Sequence, residues 1–578
     1  MKKMYTRGLS LVDVVVGVAL LLVIFMALFG MFRASIALVA HSKARAGATA
    51  LATEQMEYVR SVTYANTGTV GGIPAGVVEP EIDRVLNGRD YTVRTFIQYI
   101  DDPADGLDGA DATGIITDYK KIKVEVSYTV AGQQESVSLV SNRTPKGIET
   151  TEGGGNLRVN VIDAVGSPVS SAQVRIQNPN TSPVVDLTTF TGSGGYVFLP
   201  GAATSTGYRV TISKTGYSSA QTYDLDSENV IPDPGHLTVV EAETTQNTFA
   251  IDVLSSLRVN TWSPIEENYV EDTFVNGSKI ESASSTEVTG GNLVLTSTEG
   301  VYDAAGVAQS TSTAPTYLSS WKFFQATSTL PAGTSVSYQF FYDVAGSPIM
   351  IPDVDLPGNA SGFSASVVDL SSLATTTYDT IYVEASLETN DTSTTPEIDA
   401  WRIVFDEGPI PIPNVSFNLL GSKTIGEDSG GDPIVKHDID AATGSAGWNE
   451  VLNIEWDAYA FSVSGYDIAA ICDTDDLSIN PNTAGEIDVY LEDASTHSLR
   501  VEVRDDFNAL IEGATLSLTR TGYSEQDVTS SCGQGYFGSL GNFADYDLSV
   551  SKSGYTTELV QDVDVDGDTA VSVVLIAS

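Results

Sequence analysis

Residues 9–32 read LSLVDVVVGVALLLVIFMALFGMF and directly follow a basic leader, MKKMYTRG, at residues 1–8. The nineteen residues from Val14 to Phe32 carry no charge, and as a helix they would cross about 30 Å of hydrocarbon. A secretory signal would have a shorter apolar core followed by a cleavage site of small residues, and this run has neither. The sequence therefore predicts one transmembrane helix that stays in the mature protein.

The junction between the leader and the apolar run carries a motif. Gly8 is followed by Leu9, and Asp13 comes four residues later, just before the Val/Leu-rich run. This arrangement resembles the N-terminus of type IV pilins and type II secretion pseudopilins. In that family a prepilin peptidase cuts after the glycine, so the resemblance implies cleavage between Gly8 and Leu9 while the helix remains in the inner membrane. The family usually has Phe and Glu where this chain has Leu9 and Asp13.

Asp13 is the one carboxylate near the membrane helix. A charge within a membrane helix costs about 2.5–3.5 kcal/mol on insertion scales, so it normally marks a partner. In the family that this motif resembles, the partner is the N-terminal amine of the same or a neighbouring subunit, which implies a role for Asp13 in assembly. The alternative is an uncleaved single-pass anchor in which Asp13 lies at the membrane interface.

The helical pattern continues beyond the membrane segment. Apolar residues recur at three- and four-residue steps and no proline precedes Pro74, so we expect a helix over residues 9–63, a rod of about 80 Å. Its Ala/Gly-rich middle would let neighbouring helices approach closely in a filament. Alternating segments at 91–100, 119–130 and 135–144 predict antiparallel strands. The pilin resemblance implies that this small sheet, within residues 64–146, packs on the upper half of the helix.

An acidic segment lies between two of these strands. It contains Asp101, Asp102, Asp105, Asp108 and Asp111. Carboxylate oxygens are ligands for calcium, so the segment is a candidate calcium loop, although its spacing is not that of an EF-hand. A solvated acidic turn is the alternative.

Composition limits the functions that the chain can have. A net charge of −46 and a pI near 4.1 exclude nucleic acid as a partner, because binding it requires basic patches. Two cysteines and four scattered histidines supply no zinc motif. We therefore predict no enzyme activity and no cofactor other than calcium. Cys472 and Cys532 form the one intramolecular pair that an exported chain could oxidise, and the alternative is two packed free thiols.

An internal repeat covers much of the β-rich remainder. Four segments recur in the same order at 157–163 and 499–505, 172–176 and 514–518, 195–196 and 535–536, and 208–217 and 546–555. The pattern resembles the carboxypeptidase regulatory-like, or transthyretin-like, family, which implies Greek-key sandwiches without catalytic residues. A weaker third copy lies within residues 409–495. The disulfide would then join the third and fourth sandwiches.

Residues 253–408 differ from the repeats. Their strands are longer, and Thr395-Pro396 marks a break between two of them. This pattern resembles a jelly-roll sandwich of the kind found in carbohydrate-binding and laminin-type modules. Trp262, Trp321 and Trp401 could stack on a sugar. Each tryptophan lies in or beside a strand-like run, however, so packing in the core is the default interpretation.

The predicted fold class is a multidomain, mainly β protein with a long N-terminal transmembrane α-helix, a small pilin-like antiparallel sheet, tandem Greek-key β-sandwiches and one jelly-roll-like sandwich. The expected divisions are a leader at 1–8, a helix at 9–63, a sheet domain at 64–146, a linker at 147–155, and sandwiches at 156–252, 253–408, 409–495 and 496–578.

These patterns predict a minor type IV pilin or pseudopilin-like subunit that displays its sandwiches for adhesion or surface interaction. Its expected partners are other pilin or pseudopilin subunits, the prepilin peptidase, the inner membrane before assembly, and a surface glycan or protein. The bulk of the chain would lie outside the cytoplasm, in a cell-surface pilus or a periplasmic pseudopilus. The alternative is a membrane-anchored surface or glycan-binding protein that does not polymerise.

Overall fold

The computed structural model describes residues 11–102, 117–146, 154–472 and 477–578. These residues form one α-helix and 42 β-strands. The mainly β, multidomain fold class with a long N-terminal helix is therefore confirmed.

The N-terminal domain is a helix packed on a four-stranded sheet. Helix α1 (Leu11–Ser61) precedes β1 (Glu81–Leu86), β2 (Arg89–Ile100), β3 (Tyr119–Val130) and β4 (Gln133–Arg143), which are antiparallel in the order β1-β2-β3-β4. One face of the sheet covers the second half of α1, where the buried side chains lie three or four residues apart: Ala44, Ala48, Ala52, Met56 and Val59. This spacing places them on one face of the helix. We call this unit the head.

The first sandwich follows the head. Its strands are β5 (Gly154–Ile162), β6 (Gln173–Asn178), β7 (Val185–Phe190), β8 (Tyr196–Ala203), β9 (Ser205–Ser213), β10 (Ala220–Gln221), β11 (Leu237–Val239) and β12 (Thr244–Ala250). One sheet has the order β12-β5-β8, and the other has the order β10-β9-β6-β7 with β11 beside β9.

The predicted linker at 147–155 is partly wrong. Residues 147–153 lie outside the described residues, but Gly154 and Gly155 are the buried first residues of β5. A Cβ atom on Gly155 would collide with the carbonyl oxygen of Val240. These glycines therefore allow close packing rather than flexibility.

The next strand, β13 (Ser255–Trp262), precedes a large sandwich without belonging to it. That sandwich contains β14 (Glu266–Asp272), β15 (Ile280–Ser284), β16 (Thr286–Thr289), β17 (Asn292–Leu295), β18 (Ser297–Thr298), β19 (Val301–Tyr302), β20 (Ala305–Ser310), β21 (Leu318–Thr329), β22 (Thr334–Val344), β23 (Ser347–Met350), β24 (Val367–Asp369), β25 (Ile381–Thr389) and β26 (Glu397–Glu407). Its main sheets are β16-β17-β26-β21-β24, with β14 beside β26, and β15-β20-β25-β22-β23. We call this unit the large sandwich.

The third repeat sandwich is built from β13 and from strands after the large sandwich. These are β27 (Ser416–Gly421), β28 (Thr424–Glu427), β29 (Pro433–Val435), β30 (Asp438–Ala442), β31 (Trp448–Ile454), β32 (Asp457–Val463), β33 (Tyr466–Ile471), β34 (Leu477–Ile479) and β35 (Ala484–Asp493). Its sheets are β31-β13-β35-β33 and β30-β27-β32-β34, with β28 and β29 as a separate hairpin.

The predicted assignment of residues 253–262 to the large sandwich is therefore wrong, and the third repeat begins at β13 rather than at 409. The large sandwich is inserted into the third repeat, between β13 and β27. A bridge from Trp262 to Pro411 closes the insertion point, where the first sandwich has a bridge from Ile162 to Pro168 across a short turn. The missed signal was Leu257-Arg-Val-Asn260, which is identical to Leu157-Arg-Val-Asn160 in β5.

The fourth sandwich ends the chain. Its strands are β36 (Ser498–Asp505), β37 (Thr515–Arg520), β38 (Tyr523–Val528), β39 (Gln534–Phe537), β40 (Phe543–Ser551), β41 (Glu558–Val565) and β42 (Asp568–Leu575). Its sheets have the orders β39-β36-β42 and β38-β37-β40-β41.

The three repeat sandwiches share two structural devices. The first strand runs parallel to the last in each one, as β5 with β12, β13 with β35, and β36 with β42. A buried tyrosine hydroxyl in each also bonds to a backbone group four or five residues upstream: Tyr208 to Ala203, Tyr459 to Glu455 and Tyr546 to Gly541. Burial raises the pKa of Tyr208 to about 12.

One predicted match within the repeat is displaced by two residues. Gly195 O accepts from Val161 N at 2.7 Å, and Gly533 O accepts from the equivalent Val503 N at 2.8 Å. Gly195 therefore corresponds to Gly533 rather than to Gly535. The Gly-Tyr dipeptide at 535–536 has the same sequence as Gly195-Tyr196, but it lies two positions after the structural equivalent of Gly195.

Candidate functional site

Helix α1 has two halves with different surroundings. Every Val, Leu, Ile, Phe and Met side chain described between Val15 and Val39 is exposed, whereas the residues from Ala44 to Val59 include those packed on the head sheet. The helix is long and apolar enough to cross a membrane. Its first half therefore needs lipid or other helices to cover it, while its second half is already covered.

The predicted processing residues lie at the edge of the described chain. Gly8 and Leu9 are outside the described residues. Asp13 lies in the first turn of α1. Cleavage and the pairing of Asp13 with an amine stay predictions.

The predicted calcium loop is described only at its start. Asp101 and Asp102 directly follow β2, and the backbone N–H of Asp102 donates to the Asp118 carboxylate at 2.6 Å. Asp105, Asp108 and Asp111 lie outside the described residues. Across the described ranges, no group of three or more His, Cys, Asp or Glu side chains is arranged to hold a metal ion. Calcium binding here stays a prediction.

Two of the three tryptophans considered for sugar stacking pack as core residues. Trp321 and Trp401 are 1% and 5% exposed inside the large sandwich. Trp262 is half-buried, and its Nε1–H donates to Asp488 at 2.8 Å. The default interpretation of core packing therefore fits Trp321 and Trp401, and Trp262 is held by its hydrogen bond to Asp488.

The joint between the third and fourth sandwiches contains a disulfide. Cys472 and Cys532 are bonded, with their Cα atoms 4.8 Å apart. Beside them, Gln534 Oε1 accepts from Ile471 N at 2.9 Å, and the Tyr536 hydroxyl donates to Asp467 at 2.6 Å. Burial and this carboxylate raise the pKa of Tyr536.

This joint also bears on location. One apolar N-terminal helix, long enough to cross a membrane, precedes a large body of β domains. A disulfide between two of those domains is typical of an oxidising compartment.

The joint between the first and third sandwiches contains a buried ion cluster. Glu455 is 3% exposed and accepts from Lys423 at 2.8 Å, Lys436 at 2.5 Å and His437 at 2.9 Å. Lys436 also donates to the backbone oxygen of Ser219 in the first sandwich at 2.8 Å. Burial alone would raise the pKa of Glu455, but the three donors outweigh it and lower the pKa to about 2.

No motif or periodicity in the sequence indicates this cluster. Lys423, Lys436 and His437 lie within fifteen residues of a strongly acidic chain. This local concentration of cations was the one feature of the sequence that pointed to the cluster. Cations that fold into a buried place need a carboxylate beside them.

The joint between the head and the first sandwich is also packed. Ile73, from the loop after α1, is buried in the core of the first sandwich. Gly71 O accepts from Asp186 N at 2.8 Å. Gly71 has a φ of +73°, and a Cβ there would lie 3.2 Å from Asp186 O, so glycine suits this close approach.

Charge divides the molecule at this joint. Residues 1–146 carry 15 of the 29 Lys and Arg residues and 15 of the 75 Asp and Glu residues, so their net charge is zero. Residues 147–578 carry the other 14 Lys and Arg residues and the other 60 Asp and Glu residues, which accounts for the whole net charge of −46. The acidic charge of the molecule therefore lies in the sandwiches rather than in the N-terminal part.

No protein-family model and no curated protein matches this chain. Solved structures that match include the Bacillus anthracis TIE protein, at 10% identity and a TM-score of 0.15, covering 87% of this chain and 73% of that one. BcpA, the major pilin subunit of Bacillus cereus, matches at 10% identity and a TM-score of 0.13, covering 73% of this chain and 99% of that one. The shaft pilin SpaA from Lactobacillus rhamnosus GG matches at 12% identity and a TM-score of 0.12, covering 30% of this chain and 87% of that one. Likenesses with such TM-scores carry no argument about function.

Proposed function

We propose that this chain is a minor type IV pilin-like or pseudopilin-like subunit that is cleaved after Gly8 and assembles through α1. The observation that carries the proposal is the division of α1 into an exposed apolar half and a half packed on the head sheet. A helix of this kind joins a folded head to a hydrophobic environment that the chain itself does not supply.

The length of the exposed half favours assembly over a simple anchor. The uncharged run ends at Phe32, and Arg33 follows it. Beyond this charge, Ile36, Leu38 and Val39 are also exposed. In an anchor that ends at the membrane surface these side chains would face water, whereas neighbouring helices in a filament would cover them.

The charge distribution favours few copies. After cleavage at Gly8, residues 9–146 keep 12 Lys and Arg residues and 15 Asp and Glu residues, a net charge of −3. Such heads can pack side by side far more readily than the bodies, which each carry a net charge of −46 and repel one another. A filament made only of this subunit would crowd these bodies together. We therefore propose a minor subunit whose sandwiches project outward for adhesion or surface interaction.

Cross-linking in the native host tests the assembly step. Both natural cysteines are in the disulfide, so Ala34→Cys in the exposed half of α1 introduces a single free thiol. A thiol-reactive photo-crosslinker attached to this thiol should join the chain to neighbouring subunits in filament or membrane fractions and give adducts larger than the monomer. The matched control is Val165→Cys, which is 86% exposed in a turn of the first sandwich and should stay monomeric. Monomeric Ala34→Cys would favour the non-polymerising anchor instead.

A further inference from the structure

A cleft of about 410 Å³ lies between the head and the first sandwich. Its head side includes Arg94, Phe96 and Gln98 from β2, and its sandwich side includes Gln173 from β6 and Phe190 from β7. Its volume is in the range of small-ligand sites, which often lie between domains. The cleft is part of a packed joint, so its two walls are held together without a ligand.

The charged groups in the cleft are already paired. Arg94 lies 2.8 Å from Glu81, and Asp186 accepts two hydrogen bonds from Arg175, at 3.0 and 2.8 Å. The hydrogen bond from Arg175 lowers the pKa of Asp186, which keeps this carboxylate ionised and matched to its partner. A charged ligand would have to compete with these pairs, so the lining favours a neutral one.

Among its threonine and aliphatic side chains, the lining also offers two amides and two aromatic rings. The side chains of Gln98 and Gln173 form no hydrogen bond with any described residue, and each amide offers two donors and one acceptor. Phe190 is 55% exposed, so its ring is open to a ligand. Phe96 is half-buried on the opposite wall.

We propose that this cleft binds a neutral sugar unit of a surface polysaccharide. A pyranose presents C–H groups on its faces, which pack on phenyl rings, and hydroxyl groups around its edge, which exchange hydrogen bonds with amides. Phe96 and Phe190 would contact the faces, and Gln98 and Gln173 would bond the hydroxyls. This site adds a ligand to the proposed adhesive role, but it does not require polymerisation.

The test uses the full chain in protein-bounded lipid discs, because many detergents carry sugar headgroups. Cellohexaose, maltohexaose, chitohexaose and mannohexaose are titrated calorimetrically, with a heparin hexasaccharide as the anionic probe. We expect at least one neutral probe to bind and Phe190→Ala to weaken it tenfold or more. The matched control is Phe507→Ala, since Phe507 is 85% exposed in the fourth sandwich and should bind like the wild type.

A second variant guards against indirect effects. Gln173→Ala removes an exposed side chain and should also weaken binding severalfold. The proposal is overturned if no neutral probe binds, if only heparin binds, or if both variants bind like the wild type. Phe190→Ala chains that also carry Ala34→Cys should still cross-link, so loss of sugar binding is distinguishable from failure of assembly.

Discussion

Replacement of Glu455 by glutamine should destabilise the third sandwich. Glu455 is 3% exposed and is the shared acceptor of Lys423, Lys436 and His437. Glutamine keeps the size of the side chain but removes its charge, which leaves the cations without a counter-ion in a buried place. Removing one partner from a buried ion pair typically costs about 3–5 kcal/mol.

Acid should produce a related effect in the wild type. The pKa of Glu455 falls from its ordinary value of 4.5 to about 2 in the folded protein. A lowered carboxyl pKa contributes stability above the unfolded value, and this contribution is lost as the pH falls through the folded value. At about 1.4 kcal/mol for each tenfold change in proton affinity, the whole contribution is about 3 kcal/mol. Of this, about 2 kcal/mol is lost between pH 7 and about pH 3.

Urea unfolding of the full chain, followed by tryptophan fluorescence, measures both effects. The chain has several domains and can unfold in more than one transition. The transition to follow is the one whose urea midpoint Glu455→Gln shifts at neutral pH. In the wild type its midpoint should fall between pH 7 and about pH 3 by more than in Glu455→Gln, because the variant has lost the titrating group.

Glu492→Gln is the matched control, and it has the opposite sign. Burial and the nearby carboxylates of Glu266, Asp493, Asp527 and Asp467 raise the pKa of Glu492. Its ionised form therefore opposes folding at neutral pH, and glutamine should stabilise the protein. The reasoning on Glu455 is refuted if Glu455→Gln is as stable as the wild type. It is also refuted if the wild type and Glu455→Gln lose the same stability between pH 7 and about pH 3.

Three further predictions concern residues named from the sequence. Asp13→Ala should be cleaved but absent from sheared filaments, while Asp13→Glu should assemble; normal assembly of Asp13→Ala would exclude a role for the carboxylate. Replacing Cys472 and Cys532 with serine should lower stability by up to about 4 kcal/mol in thermal unfolding, given their separation of 60 residues; two alkylated thiols in native oxidised protein would rule out the bond. Millimolar calcium should raise the melting temperature of the full chain, and asparagine at the aspartates of residues 101–111 should abolish the rise; no shift in the wild type would indicate a plain acidic turn.

Local patterns predicted much of the fold. The apolar run of α1 and the alternation in β2 and β3 depend on neighbouring residues, so sequence alone indicated them. The position of β13 did not follow from local pattern, because its sheet partners β31 and β35 come after the inserted large sandwich. Such an insertion separates a strand from its sheet without changing the strand's own pattern.

The joints between domains were the hardest part to foresee. Pairing Cys472 with Cys532 needed only a count of cysteines, and the structure places the bond between two sandwiches. Glu455 gains its partners from its own sandwich, 18 to 32 residues away, and only the contact of Lys436 with Ser219 crosses the joint. Gln534 bonds Ile471 of the neighbouring sandwich, 63 residues away. No periodicity marks such residues, because their role depends on how folded domains meet.

The N-terminus of the mature protein tests the central claim most directly. Intact mass and N-terminal sequencing of protein from native membranes should find Leu9 as the first residue, because the motif that ends at Gly8 implies cleavage there. Gly8→Ala should leave Met1 and the leader attached and should keep the chain out of filaments. A wild-type protein that begins at Met1 would contradict the account and support an uncleaved anchor.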